Sequence, residues 1–165
     1  MFCIGQTVLY GTNGVCEIKD ITMKSVGKLK MEYYVLKPLG ADASTLFVPT
    51  ANEALVKKIR PVLSEDEIRR ILCDGQDCED WNDNKIERSE HFKEIIASGD
   101  SAELVRLIRL LRLHAQQQVA KGKRLHISDE RFLKEAEKMV CGEFSMVLNV
   151  SRDDVIEMIL HNKAA

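Results

Sequence analysis

The spacing of apolar residues changes once along this chain, near Ser64, and that change constrains the fold more than any other feature. Before it, apolar and polar side chains alternate over short runs separated by glycine, as in half-buried strands. After it, apolar residues recur every three or four positions, as on amphipathic helices. Because strands precede helices instead of alternating with them, we expect an α+β protein with a β-barrel domain, residues 1–63, and an all-α domain, residues 64–165.

The first fifty residues predict five short strands, which fit a small SH3-like or Tudor-like barrel. Residues 11–14 supply turn residues, and two of them are glycines that take positive φ without steric cost. Gly27 predicts a hairpin turn, and residues 40–44 predict a loop. The strand-like runs are residues 7–10, 15–20, 21–26, 31–36 and 45–48. The pattern leaves open whether such a barrel docks on a partner or only supplies a stable fold.

Capping residues divide the second half into five helices. Ser64 and Glu67 form a capping box, which opens a short helix ending near Leu72. Residues 73–80 predict a linker, and residues 81–165 a helical bundle. Its helices run from residue 81 or 84 to 98, from 100 to 121, from 128 past 144, and from 151 to 162, with Gly99 and Gly122 as stops. The stripe expected on the helix opened by Ser128 is Phe132, Leu133, Ala136, Met139, Val140 and Phe144.

The composition is that of a soluble cytoplasmic protein. Hydrophobic residues make up 45% of the chain and charged residues 30%. No apolar run is long enough to span a bilayer, and no signal-peptide pattern opens the chain. The five cysteines are scattered, which favours a reducing compartment over a disulfide framework. Cys73 and Cys78 lack the further ligands of a zinc site, so we expect no metal and no cofactor.

No arrangement of residues predicts catalysis. The four histidines are dispersed and form no HExxH motif. Gly11 and Gly14 lack the Lys-Ser/Thr of a phosphate-binding P-loop, and there is no Gly-x-Ser-x-Gly elbow. We therefore expect a protein that is not an enzyme and has no small-molecule substrate.

Four short motifs follow one another in the first half of the chain. They are Ile4-Gly5-Gln6-Thr7-Val8-Leu9-Tyr10, Gly14-Val15-Cys16-Glu17-Ile18, Tyr33-Tyr34-Val35-Leu36 and Val48-Pro49. Their order resembles the RNA-polymerase-interacting domain of the CarD/CdnL transcription-factor family, which also occurs in the transcription-repair coupling factor. Residues 59–62 resemble the segment where that domain ends.

The resemblance implies that the barrel grips the β subunit of RNA polymerase through an exposed strand edge. The positions it implies for that contact are Lys24, Tyr34, Phe47, Val48 and Pro49. Phe47 stands where many members of the family carry arginine, so an apolar anchor replaces an ionic one there. Packing in the barrel core is the alternative role for Phe47.

The second half resembles the C-terminal domain of the same family. Trp81, Ser98-Gly99-Asp100 and the segment 135–140 match its markers. The resemblance implies a domain that touches promoter DNA at the upstream edge of the melted bubble. Its tryptophan would act as a minor-groove wedge that slows re-annealing. The alternative for Trp81 is packing on the bundle or on the barrel.

The charges predict only weak, non-sequence-specific affinity for promoter DNA. Residues 64–80 hold seven acidic and two basic residues, whereas residues 104–127 hold basic residues and no acidic ones. Polymerase would hold the helical domain beside the promoter and raise its effective concentration there. The candidate DNA contacts are Trp81, Lys85, Arg88, Arg106, Arg109 and Arg112.

We therefore expect a bacterial transcription regulator that is nucleoid-associated through polymerase and alters the lifetime of the open complex. It has no membrane partner. The acidic segment 64–80 keeps a second function open. In that reading the protein is an adaptor whose helical domain recruits a protein and never touches DNA.

Overall fold

The computed structural model of the protein describes residues 2–39, 44–74 and 80–161, except the side chain of Thr12. These residues form two compact units, Met1–Val62 and Leu63–Ala165. The fold is α+β, as the change of periodicity predicts. Most of the predicted loop at 40–44 and of the linker at 73–80 lies outside the described residues, as does Cys78.

The first unit contains five strands: β1 (Thr7–Tyr10), β2 (Val15–Val26), β3 (Leu29–Pro38), β4 (Leu46–Pro49) and β5 (Ile59–Pro61). They form one antiparallel sheet in the order β4-β3-β2-β1-β5. The long β2–β3 hairpin turns at Gly27, as predicted. In this order β4 and β5 are the edge strands.

The sheet has five strands, but only four of them lie in the first fifty residues, where the sequence predicts five. Runs 15–20 and 21–26 form the single strand β2, whose pairing register with β3 shifts between Ile18 and Asp20. Such a bulge moves the alternation by one residue, so one continuous strand has the pattern of two. The fifth strand is β5, after a one-turn helix α1 (Glu53–Val56) that the sequence analysis missed.

The core of the first unit lies on one face of the sheet. It consists of Val8, Cys16, Ile18, Tyr34, Leu36, Val48 and Ile59. Neighbours along a strand point to opposite faces, so Tyr33 and Phe47 lie on the other, outer face. The outer face therefore presents side chains that the core does not use.

The second unit contains five further helices. They are α2 (Glu65–Cys73), α3 (Lys85–Ser98), α4 (Ser101–Ala120), α5 (Ile127–Leu148) and α6 (Arg152–His161). The Ser64–Glu67 capping box and the left-handed Gly99 that ends α3 are confirmed. The predicted start of α5 is wrong: His126 is the N-cap, and its side chain accepts a hydrogen bond from the backbone N–H of Ser128.

The helical core is built around α4. Leu104, Leu107, Ile108 and Leu111 are buried there, and the predicted stripe of α5 packs against the same core, with Leu133 only half-buried. Charged side chains lie in this core as well: Arg88, Asp129, Glu137 and Glu143 are all buried. Among the described residues, no helix combines the length and apolarity needed to cross a membrane.

Candidate functional sites

Phe47 is the centre of the candidate docking surface on the sheet. It lies on the edge strand β4, and 44% of its surface is exposed. The Lys24 Nζ lies 3.4 Å from the centroid of the Phe47 ring, a cation–π contact. The Tyr33 ring meets it edge-on with centroids 6.4 Å apart. Phe47 is therefore held on the outer face and is not part of the barrel core.

Exposed apolar residues of the β2–β3 hairpin extend this surface. Val26 pairs with Leu29, and both are exposed, while Lys24 pairs with Met31. Directly opposed residues, and residues two apart on one strand, share a face of a sheet. The surface formed by Lys24, Val26, Leu29, Met31, Tyr33 and Phe47 is called the Phe47 face below. The hairpin part of this face, Val26 and Leu29, was not predicted from the sequence.

Two of the predicted polymerase contacts belong to the core instead. Tyr34 is 6% exposed and packs edge-on against Phe2, with ring centroids 5.9 Å apart. Val48 is 1% exposed. Since both point to the face opposite Phe47, they support the barrel from inside and offer no surface to a partner. Pro49 is half-buried and lies opposite Tyr33.

Trp81 packs against the helical bundle, as its alternative role predicts. Its ring stacks on the ring of His114 in α4, with centroids 3.6 Å apart and planes 6° from parallel. Phe92 lies further in, with ring centroids 6.2 Å from those of Trp81. Trp81 nevertheless remains half-buried, so part of the indole is accessible.

Arg88 is a buried ion-pair residue, and its assignment to DNA is corrected. Its Nε and Nη2 donate to the two carboxylate oxygens of Asp129 at 3.0 and 2.9 Å. Its Nη1 donates to the backbone carbonyl of Asn82 at 2.8 Å. Arg88 is 7% and Asp129 1% exposed, so the guanidinium is committed to these bonds inside the bundle. Its carbon also lies 4.7 Å from the Trp81 ring centroid, so the pair backs the indole.

Arg109 is also bonded within the bundle. It donates to the carbonyl oxygens of Leu72 and Asp74 at the end of α2, at 3.0 and 2.9 Å. A third bond, at 2.8 Å, goes to the carbonyl of Ile159 in the last turn of α6. A cation at the carbonyl ends of two helices is favourable for both. Arg109 is thus a cap for two helices, and its assignment to phosphate is corrected.

The other two arginines of α4 are ion-paired and only partly exposed. Arg112 donates to Glu137 at 2.6 Å, and Arg106 lies 3.1 Å from Glu103 and 3.3 Å from Asp74. The stretch 104–127 therefore carries much less net positive charge at its surface than its sequence suggests. The analysis missed these partners because Asp74 and Glu137 lie 32 and 25 residues away along the chain.

Other cations of the helical unit remain exposed. Lys121, Lys123 and Arg124 are exposed at the turn between α4 and α5, and the predicted contact Lys85 is exposed at the start of α3. Arg124 lines an open groove of about 340 Å³. The groove, called the Trp81 groove below, is lined by Trp81, Asp83, Arg88, His114, Gln118, Arg124, His126 and Asp129. It places an accessible aromatic edge beside an exposed cation.

The surroundings of His114 favour its neutral form. Burial lowers the pKa of its imidazole below the usual value of 6.5, and the charges of Arg88 and Lys121 add to this effect, whereas Asp129 and Asp83 oppose it. The Nε2 atoms of His114 and Gln118 are 2.9 Å apart. An amide N–H can only donate, so this bond needs an imidazole whose Nε2 carries no proton.

The described residues contain no group of three or more side chains suited to hold a metal ion. Cys3, Cys16, Cys73 and Cys141 are free thiols. Burial raises the pKa of both Cys16 and Cys141 to about 11, which keeps these two thiols protonated near neutral pH.

Comparisons with known proteins agree with this geometry. The family model described as "CarD-like/TRCF RID domain" matches residues 2–71, and that described as "CarD, C-terminal domain" matches residues 67–160. A curated relative, "Putative transcription factor YdeB" of Bacillus subtilis (strain 168), is 24% identical over 158 residues, which cover 94% of this chain and 97% of the relative. The resemblance seen in the ordered motifs is confirmed, and the chain belongs to the CarD family of transcription factors.

Proposed function

We propose that this protein regulates transcription by binding the β subunit of RNA polymerase through the Phe47 face. Its helical unit then lies against promoter DNA and alters the lifetime of the open complex. One observation carries the docking part: an aromatic side chain stands exposed on an edge strand with a lysine ammonium 3.4 Å above its ring.

The Phe47 face has the chemistry of a protein-binding surface. Aromatic anchors supply much of the binding energy at protein interfaces, and an edge strand can add a strand of the partner. β4 pairs with β3 alone among the described strands, so its other edge is open to such pairing. An aromatic anchor also makes binding less sensitive to salt than an arginine–carboxylate contact would.

The Trp81 groove supplies the proposed DNA contact. Trp81 and the exposed cation Arg124 both line this groove. Further exposed cations of the helical unit are Lys85, Lys121 and Lys123. This set replaces Arg88 and Arg109, whose guanidinium groups are bonded inside the bundle. Phosphate contacts of this kind carry no sequence information, so the protein would act at many promoters.

Titration of polymerase core enzyme, and of the isolated β-subunit lobe, tests the docking part. Phe47→Ala should weaken binding by at least about tenfold, since loss of an anchor costs more than about 1.4 kcal/mol. Ile4→Ala is the matched control, because Ile4 is an exposed apolar residue of the same unit outside the Phe47 face. Equal affinity of the two variants would remove the Phe47 face from the interface.

The adaptor function remains the second candidate. The ion-paired arginines of α4 favour it, because they reduce the cationic surface available to DNA. The two functions differ in one measurement, the decay of heparin-challenged open complexes. An adaptor would leave that decay unchanged at a promoter that needs no further protein.

A further inference from the structure

Trp81 owes its position to a residue far away along the chain. It lies before α3, in a segment fastened by Asn82 and Asn84: Asn82 accepts from the backbone N–H of Asn84 at 2.9 Å, and Asn84 caps α3. These bonds fix the backbone of the segment. They leave the two side-chain torsions of Trp81 to be set by what the indole touches.

His114 makes the shortest ring contact of Trp81 among the described residues. The two rings are stacked, with centroids 3.6 Å apart and planes 6° from parallel. Gln118, one turn further along α4, holds the imidazole through the 2.9 Å contact between the two Nε2 atoms. The Arg88 guanidinium lies 4.7 Å from the Trp81 ring centroid, so the indole is held by α3 and α4 together.

We propose that His114 is a positioning residue for Trp81: it holds the indole in the orientation that presents its accessible edge to the Trp81 groove. This inference rests on the proposed function, in which Trp81 contacts DNA. Binding of Trp81 to a distorted base step then loses less conformational entropy, because the indole is already held in one rotamer in the free protein. His114 itself need not touch the DNA.

Fluorescence of the free protein tests the stacking of His114 on Trp81 without polymerase, because Trp81 is the only tryptophan in the chain. A protonated imidazole in contact with an indole quenches its emission. We expect emission to fall on acidification with a midpoint below 6.5, the ordinary pKa of histidine. His114→Phe keeps a flat ring and should abolish this step, whereas His126→Gln, in the same groove, should retain it. A step that persists in His114→Phe would overturn the stack.

Open-complex decay under heparin tests the consequence. His114→Ala should change the lifetime as much as Trp81→Ala does, and the double variant should add nothing further. Unlike His114→Ala, the variant His114→Phe should have the wild-type lifetime, because its phenyl ring can stack on the indole of Trp81. A wild-type lifetime for His114→Ala, beside a changed one for Trp81→Ala, would overturn the positioning role. If Trp81→Ala itself has no effect, the proposed DNA contact fails, while the fluorescence still decides whether His114 holds Trp81.

Discussion

Arg88 shows how burial determines what a charged residue does. On the sequence it is a cation beside a candidate wedge; in the fold it makes two bonds to Asp129 and one to the carbonyl of Asn82. A buried charge whose partner is removed keeps the cost of its burial without the compensating attraction. The pair therefore matters for the stability of the helical unit and for the backbone next to Trp81.

Arg88→Ala should destabilise the protein by about 3–5 kcal/mol, because it leaves the Asp129 carboxylate buried and unpaired. Urea unfolding followed by circular dichroism measures this. Lys85→Ala, an exposed position on the same helix, is the control and should change stability by less than about 0.5 kcal/mol. Similar stabilities of the two variants would mean that Asp129 finds another partner.

The buried thiols predict a loss of stability at high pH. The pKa of Cys16 and that of Cys141 are raised from 9.0 to about 11 in the folded protein. As the pH rises, the unfolded chain therefore loses these protons before the folded protein does. The contribution of the two thiols to folding stability is complete below pH 9 and is lost between pH 9 and 11. Each thiol should contribute up to about 2.7 kcal/mol to that loss, since one pKa unit corresponds to about 1.36 kcal/mol. Unfolding midpoints of Cys16→Ala and Cys141→Ala, measured across this range, should show a weaker decline; a parallel decline would exclude the thiols as its cause.

At the scale of elements, Arg109 links helices that are far apart in sequence. Its guanidinium donates to carbonyls at the ends of α2 and α6 from the middle of α4. The last carbonyls of a helix generally lack a partner within it, so an external donor helps such helix ends to pack against the bundle. The three diverging bonds need the fork of an arginine, which a lysine does not have.

Arg109→Lys should therefore destabilise the helical unit by about 1–3 kcal/mol although the charge is kept. Hydrogen exchange should show faster exchange in α2 and α6 than in the strands of the sheet, which do not depend on this residue. Arg131→Lys is the control, since Arg131 is an exposed residue of α5. If protection from exchange fell uniformly over both units, or did not fall anywhere, Arg109 would not be a cap for these two helices.

At the scale of the whole molecule, the charge balance restricts how the protein can use DNA. The formal net charge is −2, so long-range attraction to a duplex is weak. A local set of cations can still contact DNA once polymerase holds the chain at the promoter. Tethering raises the effective concentration of the helical unit beside the DNA, so a weak intrinsic affinity is sufficient. The regulatory effect should then need both units in one chain.

Reversing Lys121, Lys123 and Arg124 to Glu should weaken the effect on open-complex lifetime and leave polymerase binding unchanged. The salt slope of that effect should fall by about one for each lost phosphate contact. Lys134→Glu and Lys138→Glu, exposed cations of α5, form the control. An effect that survives the triple reversal would favour the adaptor function.

The order and kind of the elements, most of their ends and the family can be predicted from the sequence alone. Periodicity, caps such as Ser64 and Gly99, and ordered motifs are local, so they can be read without knowing which segments meet. The sequence also identified Trp81 and Phe47 as residues of interest. It could not separate Tyr34 and Val48 from Phe47, because a bulge in β2 and the register of the sheet decide which side chains point inward.

Which charges are available, and how Trp81 is held, depends on which segments meet in the folded protein. Arg88 and Asp129 are 41 residues apart, and Arg109 and Ile159 are 50 apart. Trp81 lies before α3 and His114 lies in α4, so the two rings meet only through packing. Such pairs form where segments meet, and no local pattern marks the members. A run of basic residues therefore shows how many cations a segment holds. Burial and the ion-pair partner decide whether each of these cations faces solvent or stabilises the core.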